Sequence, residues 1–190
     1  RLGGQTCLLT CISDDAIGRY VSAQLKEYEI DERYVFRQGG QSRNSLAVVE
    51  TRNEDCQSVI YRNGAADFQL SVSHVEKIDL EPFGALIVTG TCLALEPSRA
   101  AVFELLYRAK TAALPVVMDL DYRPYSWASR TEAAAVCNRA AHWTDILVGN
   151  NEEFDLLAGG TGAGLNLARQ YAQDKIAIHK MGEHGSITFN

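Results

Sequence analysis

The side chains most able to do chemistry lie in three polar clusters: Asp119-Leu120-Asp121-Tyr122-Arg123-Pro124, Asn150-Asn151-Glu152-Glu153 and Lys180-Met181-Gly182-Glu183-His184-Gly185. Each directly follows a short apolar run, at 114–118, 146–148 and 176–178 respectively. If those runs are neighbouring strands of a parallel sheet, their carboxyl ends open on one edge, where open α/β sheets bind ligands. An arginine, several carboxylates, a carboxamide and a lysine beside glycines would then converge. Such a set suits an anionic, metal-bound substrate such as a nucleoside triphosphate.

Each cluster also has a plain structural reading. Asp119, Asp121 and Arg123 alternate along an expected extended segment, so their side chains share a direction. A guanidinium fixed there can grip a carboxylate or phosphate with two prongs, and a surface ion pair at a strand end is an equal alternative. Asn150 and Glu153 open a helix, where an N-cap and a first-turn acid account for both residues. Their functional alternative is to hold waters around Mg²⁺ near phosphates. In Lys180-x-Gly182-xx-Gly185 the glycines serve a tight turn between strands, or let backbone approach a phosphate beside the lysine charge.

Other chemistry is excluded by pattern. No GxxxxGK[ST] loop and no GxSxG elbow occurs. His74, His142, His179 and His184 have no metal-ligand spacing. Thr89-Gly90-Thr91 ends a strand on the same expected edge. Arg62 closes another β segment and is simply solvated unless that segment folds over the site.

The elements that must position these residues follow from periodicity. Cys7–Ser13 reads as a strand, and Asp14/Asp15 cap an amphipathic helix through Tyr28. Residues 33–62 read as three short β segments (33–37, 45–51, 56–62) joined by polar turns at 38–41 and 52–55, a small antiparallel excursion off the main sheet. A short helix near 71–77 precedes regular alternation: strand 84–90, helix 97–113, strand 114–121, helix 129–143, strand 145–149, helix 151–159, helix near 165–172, strand 175–180 and a final strand from Ser186. Pro97 suits a first helical turn, Ser129 with Glu132 has the spacing of a capping box, and Gly159-Gly160 a C-cap. Apolar strands separated by helices predict a parallel sheet covered on both faces.

The bulk properties agree. The 190 residues are 46% hydrophobic and 22% charged, with a net charge of -6, against a basic face for nucleic acid or membrane. No apolar stretch has membrane-spanning length. The five cysteines are scattered, without a CxxC pair, and are expected to be buried thiols of a reduced, cytoplasmic protein. The chain begins at Arg1 and stops in a strand, so it is expected to be part of a longer polypeptide.

Taken together, these motifs resemble the ribokinase-like (PfkB) carbohydrate kinases over essentially the whole chain. Arg1-Leu2-Gly3 resembles the end of that family's first signature, Asp14-Asp15-Ala16-Ile17-Gly18 its D-x-x-G element, Asn150-xx-Glu153 its NxxE motif, and Lys180-x-Gly182-xx-Gly185 its nucleotide turn. Within the family, Thr89–Ala94, DYRPYSW at 121–127 and EEFD at 152–155 look most like the kinases of 5-dehydro-2-deoxygluconate in myo-inositol breakdown.

The resemblance implies a three-layer α/β sandwich with a mostly parallel sheet, and a β lid over residues 33–62 that pairs two copies into a homodimer. It implies ATP and Mg²⁺, with Lys180, Gly182 and Gly185 at the nucleotide, Asn150 and Glu153 at the metal through water, and Arg62 and Arg123 at a small acid sugar. The family's GAGD motif, with its catalytic aspartate, would lie beyond Asn190, as its first glycine-rich strands would lie before Arg1. The 190 residues by themselves are therefore expected to be inactive. Ketodeoxygluconate kinase or fructokinase activity is the enzymatic alternative. A sugar- or nucleotide-sensing module that has lost the catalytic base is the alternative of another class.

Overall fold

A computed structural model describes residues 3–51 and 58–190. The turn expected at 52–55, Cys56 and the first two residues of the opening signature lie outside them. Among the described residues the chain forms three sheets. Five strands make the main one in the order β5 (Leu86–Thr89), β6 (Val116–Asp119), β7 (Ile146–Asn150), β8 (Ile176–Lys180) and β9 (Ser186–Phe189). The first four are parallel and β9 returns antiparallel to β8, with Lys180 opposite Ser186. This is the α/β architecture that the apolar runs predict.

Strand order here follows chain order, and crossovers of the usual right hand send every connecting helix to one face. Those helices are α3 (Ser98–Thr111), α4 (Arg130–Ala141), α5 (Asn151–Ala158) and α6 (Gly164–Tyr171). Val88, Val116, Met118, Leu147 and Ala177 are buried in the principal core with side chains of these helices. Ile87, Val117, Ile146 and Ile178 alternate with them; Ile87 remains 71% exposed and the other three are half-buried. The expected two-sided covering is thus met on one face among the described residues.

Helix α3 explains how the second core joins the first. Its buried stripe runs 98, 101, 102, 105, 106 and 109, the i, i+3, i+4 spacing of one helical face. Val102, Leu106 and Ala109 turn to the main sheet. Ala101 and Leu105 turn to Cys11, Leu70, Val75 and Ile78. Through the latter, α3 and the short α2 (Val72–Val75) support β1 (Cys7–Ser13) and β2 (Asp31–Gln38).

The antiparallel excursion expected at 33–62 needs correction at its first segment. Residues 33–37 belong to β2, which pairs parallel with β1 across helix α1 (Ala16–Glu27). Antiparallel pairing is confined to β3 (Leu46–Val49) and β4 (Ser58–Tyr61). Alternation identifies a strand but says nothing of its partner's direction. Another correction concerns α4. Ser129 caps it by accepting from the Glu132 amide, but the Glu132 carboxylate takes Arg99 at 2.8 Å instead of completing a capping box.

No helix among the described residues is long and apolar enough to cross a membrane. Cys7, Cys11, Cys92 and Cys137 are free thiols. Burial pushes the Cys137 thiol up to about 12, so it is an inert core group.

Candidate active site

The carboxyl ends of β5 to β8 carry a connected set of ion pairs and hydrogen bonds. At its centre is Glu153. The side chain is 2% exposed, and each oxygen accepts from a backbone amide: Tyr122 N at 2.9 Å and Asn150 N at 2.7 Å. Asn150 Oδ1 accepts from Glu153 N at 3.0 Å, which completes a reciprocal capping box at the start of α5. Glu153 therefore ties the segment after β6 to the junction of β7 and α5. That tie holds two of the predicted clusters together.

The third cluster joins through Lys180, whose Nζ lies 3.0 and 3.1 Å from the two oxygens of Asp119. The turn beyond Lys180 closes with Met181 N donating to Gly185 O at 2.8 Å. Gly182 and Gly185 have φ of +59° and +80°, and Gly185 has ψ of −137°, a conformation that side chains scarcely tolerate. A Cβ at either would meet nothing within 4 Å, so the glycines are needed for backbone shape and leave the space beside them open.

Arg123 and Arg62 meet through Thr91. Arg123 Nη2 pairs with Asp121 Oδ1 at 2.7 Å, and Asp121 Oδ2 accepts from the Thr91 hydroxyl at 3.3 Å. The Thr91 carbonyl accepts from Arg62 Nη1 at 3.1 Å. Arg62 also pairs with Asp67 and lies over the Phe68 ring at 3.8 Å. Asp67 in turn accepts from Ser45 Oγ at 2.6 Å. Two guanidiniums from distant segments are thus linked through Thr91, one directly and the other by way of Asp121.

The extended course expected for 119–123 is not what the backbone takes. Strand β6 ends at Asp119, and Asp121 adopts φ of +38°. An aspartate tolerates this left-handed region better than most residues. The bend turns Asp121 toward Thr91 and Arg123, while Asp119 is left to Lys180. Thr91 can reach because Gly90 is pressed onto the next strand's end, where a Cβ would stand 2.1 Å from Leu120 O.

Each cation singled out from sequence on this rim therefore has a carboxylate partner: Arg62 with Asp67, Arg123 with Asp121, Lys180 with Asp119. Asp67 escapes sequence reasoning, since no periodicity or spacing marks a residue whose role comes from a turn packed against β1, β2 and α3. Arg123 Nε is buried and has no partner among the described residues.

The D-x-x-G element has a clear local cause. Asp15 Oδ1 accepts from Ser13 Oγ at 2.7 Å and from the amides of Ile17 and Gly18 at 3.0 Å. Those bonds, the Ser13 hydroxyl first, hold the Asp15 carboxyl below the usual aspartate range. A Cβ on Gly18 would lie 1.7 Å from Ser13 O, so only glycine lets α1 sit against the end of β1.

The donor set also bears on a cation. No group of three histidine, cysteine or acidic side chains gathers to hold a metal among the described residues. Glu153 already receives a backbone bond on each oxygen. Such a set is compatible with a hydrated Mg²⁺ carried by phosphates, and it offers no protein cage.

An edge of parallel strands, lined with paired cations and glycine backbone, is where open α/β sheets bind ligands. Comparison with known proteins then gives the family. The chain belongs to the pfkB family carbohydrate kinases, whose pattern matches residues 1–190. It is 36% identical over 192 residues to a 5-dehydro-2-deoxygluconokinase of Photobacterium profundum, an alignment covering 98% of this chain and 58% of that protein. Among solved structures, a PfkB protein from Polaromonas sp. JS666 superposes with a TM-score of 0.84 at 23% identity, over 98% of this chain and 64% of that one. A fructokinase from Vibrio cholerae O395 in fructose-, ADP- and calcium-bound form gives a TM-score of 0.84 at 22% identity, over 98% of this chain and 60% of that one. The chain thus spans somewhat over half the length of these relatives.

Proposed function

We propose that this chain contributes the sugar- and nucleotide-binding rim of an ATP-dependent kinase. Its substrate is the six-carbon keto-acid sugar 5-dehydro-2-deoxygluconate, phosphorylated on a primary hydroxyl. The observation that carries this reading is the convergence at the strand ends of Arg62 on Thr91 and of Arg123 on Asp121, which the Thr91 hydroxyl joins. The relative at 36% identity bears the name of that activity.

In this reading Arg62 and Arg123 orient the acid sugar, with Arg123 Nε donating to its carboxylate or keto oxygen. Lys180 and the open backbone at Gly182 and Gly185 border the triphosphate. Asn150 and Glu153 shape the floor beside which a hydrated Mg²⁺ carried by the phosphates would sit; when bound, it would offset charge on the phosphoryl group. Catalysis of this kind is mainly positioning plus electrostatics. The aspartate that accepts the hydroxyl proton belongs, by the family resemblance, to a motif that these 190 residues do not contain. A cytoplasmic location and a homodimer through β3–β4 complete the proposal. The hairpin supports the dimer by exposing Leu46, Val48, Val49, Val59 and Tyr61.

Arg123→Ala in the full-length kinase tests the assignment. The expected result is a KM for the acid sugar raised about tenfold or more with the KM for ATP within twofold. Loss of ATP binding with the sugar KM unmoved would overturn it. Rates on 5-dehydro-2-deoxygluconate, ketodeoxygluconate and fructose then fix the sugar.

A further inference from the structure

We propose that Asp121 is a specificity-determining residue that tempers the charge of Arg123 and so sets how strongly the rim favours an acid over a neutral sugar. The proposal rests on the assignment of Arg123 to the acid sugar and deepens it.

A guanidinium grips a carboxylate most strongly through two parallel N–H donors with its charge uncompensated. Arg123 has donors to spare, but its charge is already compensated. Its Nη2 is held by Asp121 at 2.7 Å, and its Nη1 is directed to the Tyr122 carbonyl at 3.4 Å. Nε is left, buried and without a partner among the described residues. The arginine therefore keeps a buried Nε–H and its remaining terminal N–H groups for a ligand, with an anion already beside its charge. Arg62 is compensated in the same way by Asp67.

Asp121 is fixed in this role from both sides. Its second oxygen takes the Thr91 hydroxyl at 3.3 Å, and its backbone is bent to φ of +38°. Gly90 permits the approach, since any Cβ there would collide with Leu120 O. The carboxylate is thus built against Arg123 by three separate features of the chain. Its consequence is chemical. A sugar carboxylate at Nε meets the repulsion of Asp121 as well as the attraction of Arg123, whereas a keto or amide oxygen meets the donor alone.

The test compares the acid sugar with its C1 carboxamide, an isostere without the charge, by calorimetric binding to the full-length kinase. In Asp121→Asn the amide can still accept from Thr91, while the compensating charge is gone. Affinity for the acid is expected to rise about three- to tenfold, and affinity for the carboxamide to stay within twofold. The gain should shrink as ionic strength rises. Asp121→Gly, which suits the left-handed backbone, guards against a folding artefact. There the ratio of acid to carboxamide affinity should also rise, even if both affinities fall.

A weaker grip on the acid in Asp121→Asn, or an unchanged ratio of acid to carboxamide affinity in both variants, would overturn the role of Asp121. Arg123→Ala separates this from the parent reading. If that variant binds the acid as well as wild type does, the sugar assignment itself is wrong and this inference goes with it. If Arg123→Ala loses the acid while Asp121→Asn leaves the ratio unchanged, the assignment stands and Asp121 has no part in selectivity.

Discussion

Removing the Glu153 carboxylate separates its two possible duties, joining the rim and serving a metal ion. Glu153→Ala deletes the acceptors for Tyr122 N and Asn150 N, at 2.9 and 2.7 Å, in a site where the residue is 2% exposed. Each amide is then left without its charged partner, at a cost of about 1–3 kcal/mol apiece. The negative charge at the start of α5 is lost as well, for about 0.3–1 kcal/mol. Allowing for overlap, about 3–5 kcal/mol should go. For a chain of this size that corresponds to a fall in Tm of roughly 6–20 °C. Glu153→Gln keeps one acceptor but turns an NH₂ group toward the other amide, so it should fall between. The assay is thermal unfolding by circular dichroism in the absence of nucleotide and divalent cation. If Glu153→Ala melts within about 2 °C of wild type there, the carboxylate is not what joins the rim, and a metal-only role would take its place.

Gly90→Ala should destabilise by about 1–3 kcal/mol and raise the sugar KM, because the new methyl meets Leu120 O and moves Thr91 off Asp121. Unchanged melting and KM would show that this contact is slack. Gly185→Ala, at φ of +80°, should cost about 1–3 kcal/mol and weaken ATP more than sugar; calorimetry with each ligand checks the split. Stability should also decline as pH falls below about 6.5. Burial holds His179 and His74 below the ordinary histidine value, so the unfolded chain binds protons that the folded chain refuses. The slope is at most about 1.4 kcal/mol per pH unit for each histidine. His179 is 3% exposed, lies beside Phe154 with ring centroids 5.2 Å apart and has no partner for Nδ1 among the described residues, so His179→Leu should flatten that slope. A denaturant-melt series from about pH 7.5 to 5 decides it.

The legibility of this chain in its sequence follows physical lines. Strands β5 to β8 are apolar runs between helices with recognisable caps, and such local patterns fix both their existence and their parallel order. The three clusters could be placed at strand ends for the same reason. Pairing partners were another matter: Asp31–Gln38 alternates like a hairpin strand, yet it lies parallel to β1 because α1 intervenes. The course of 119–123 was hidden too. Alternation of Asp119, Asp121 and Arg123 implied one shared direction, whereas the left-handed Asp121 divides them between Lys180 and Thr91. Asp67 was invisible, since its value comes from a turn brought beside Arg62 by packing and not from any local signal.

Arg62, after the β3–β4 hairpin, and Arg123, after β6, act in this reading on one sugar and are linked through Thr91 and Asp121. A double-mutant cycle over Arg62→Ala and Arg123→Ala, reading kcat/KM for 5-dehydro-2-deoxygluconate, measures that most directly. The predicted result is a coupling of about 0.5–3 kcal/mol between the two changes, with the KM for ATP within twofold throughout. Strict additivity, or an effect that appears in ATP rather than in the sugar, would contradict it.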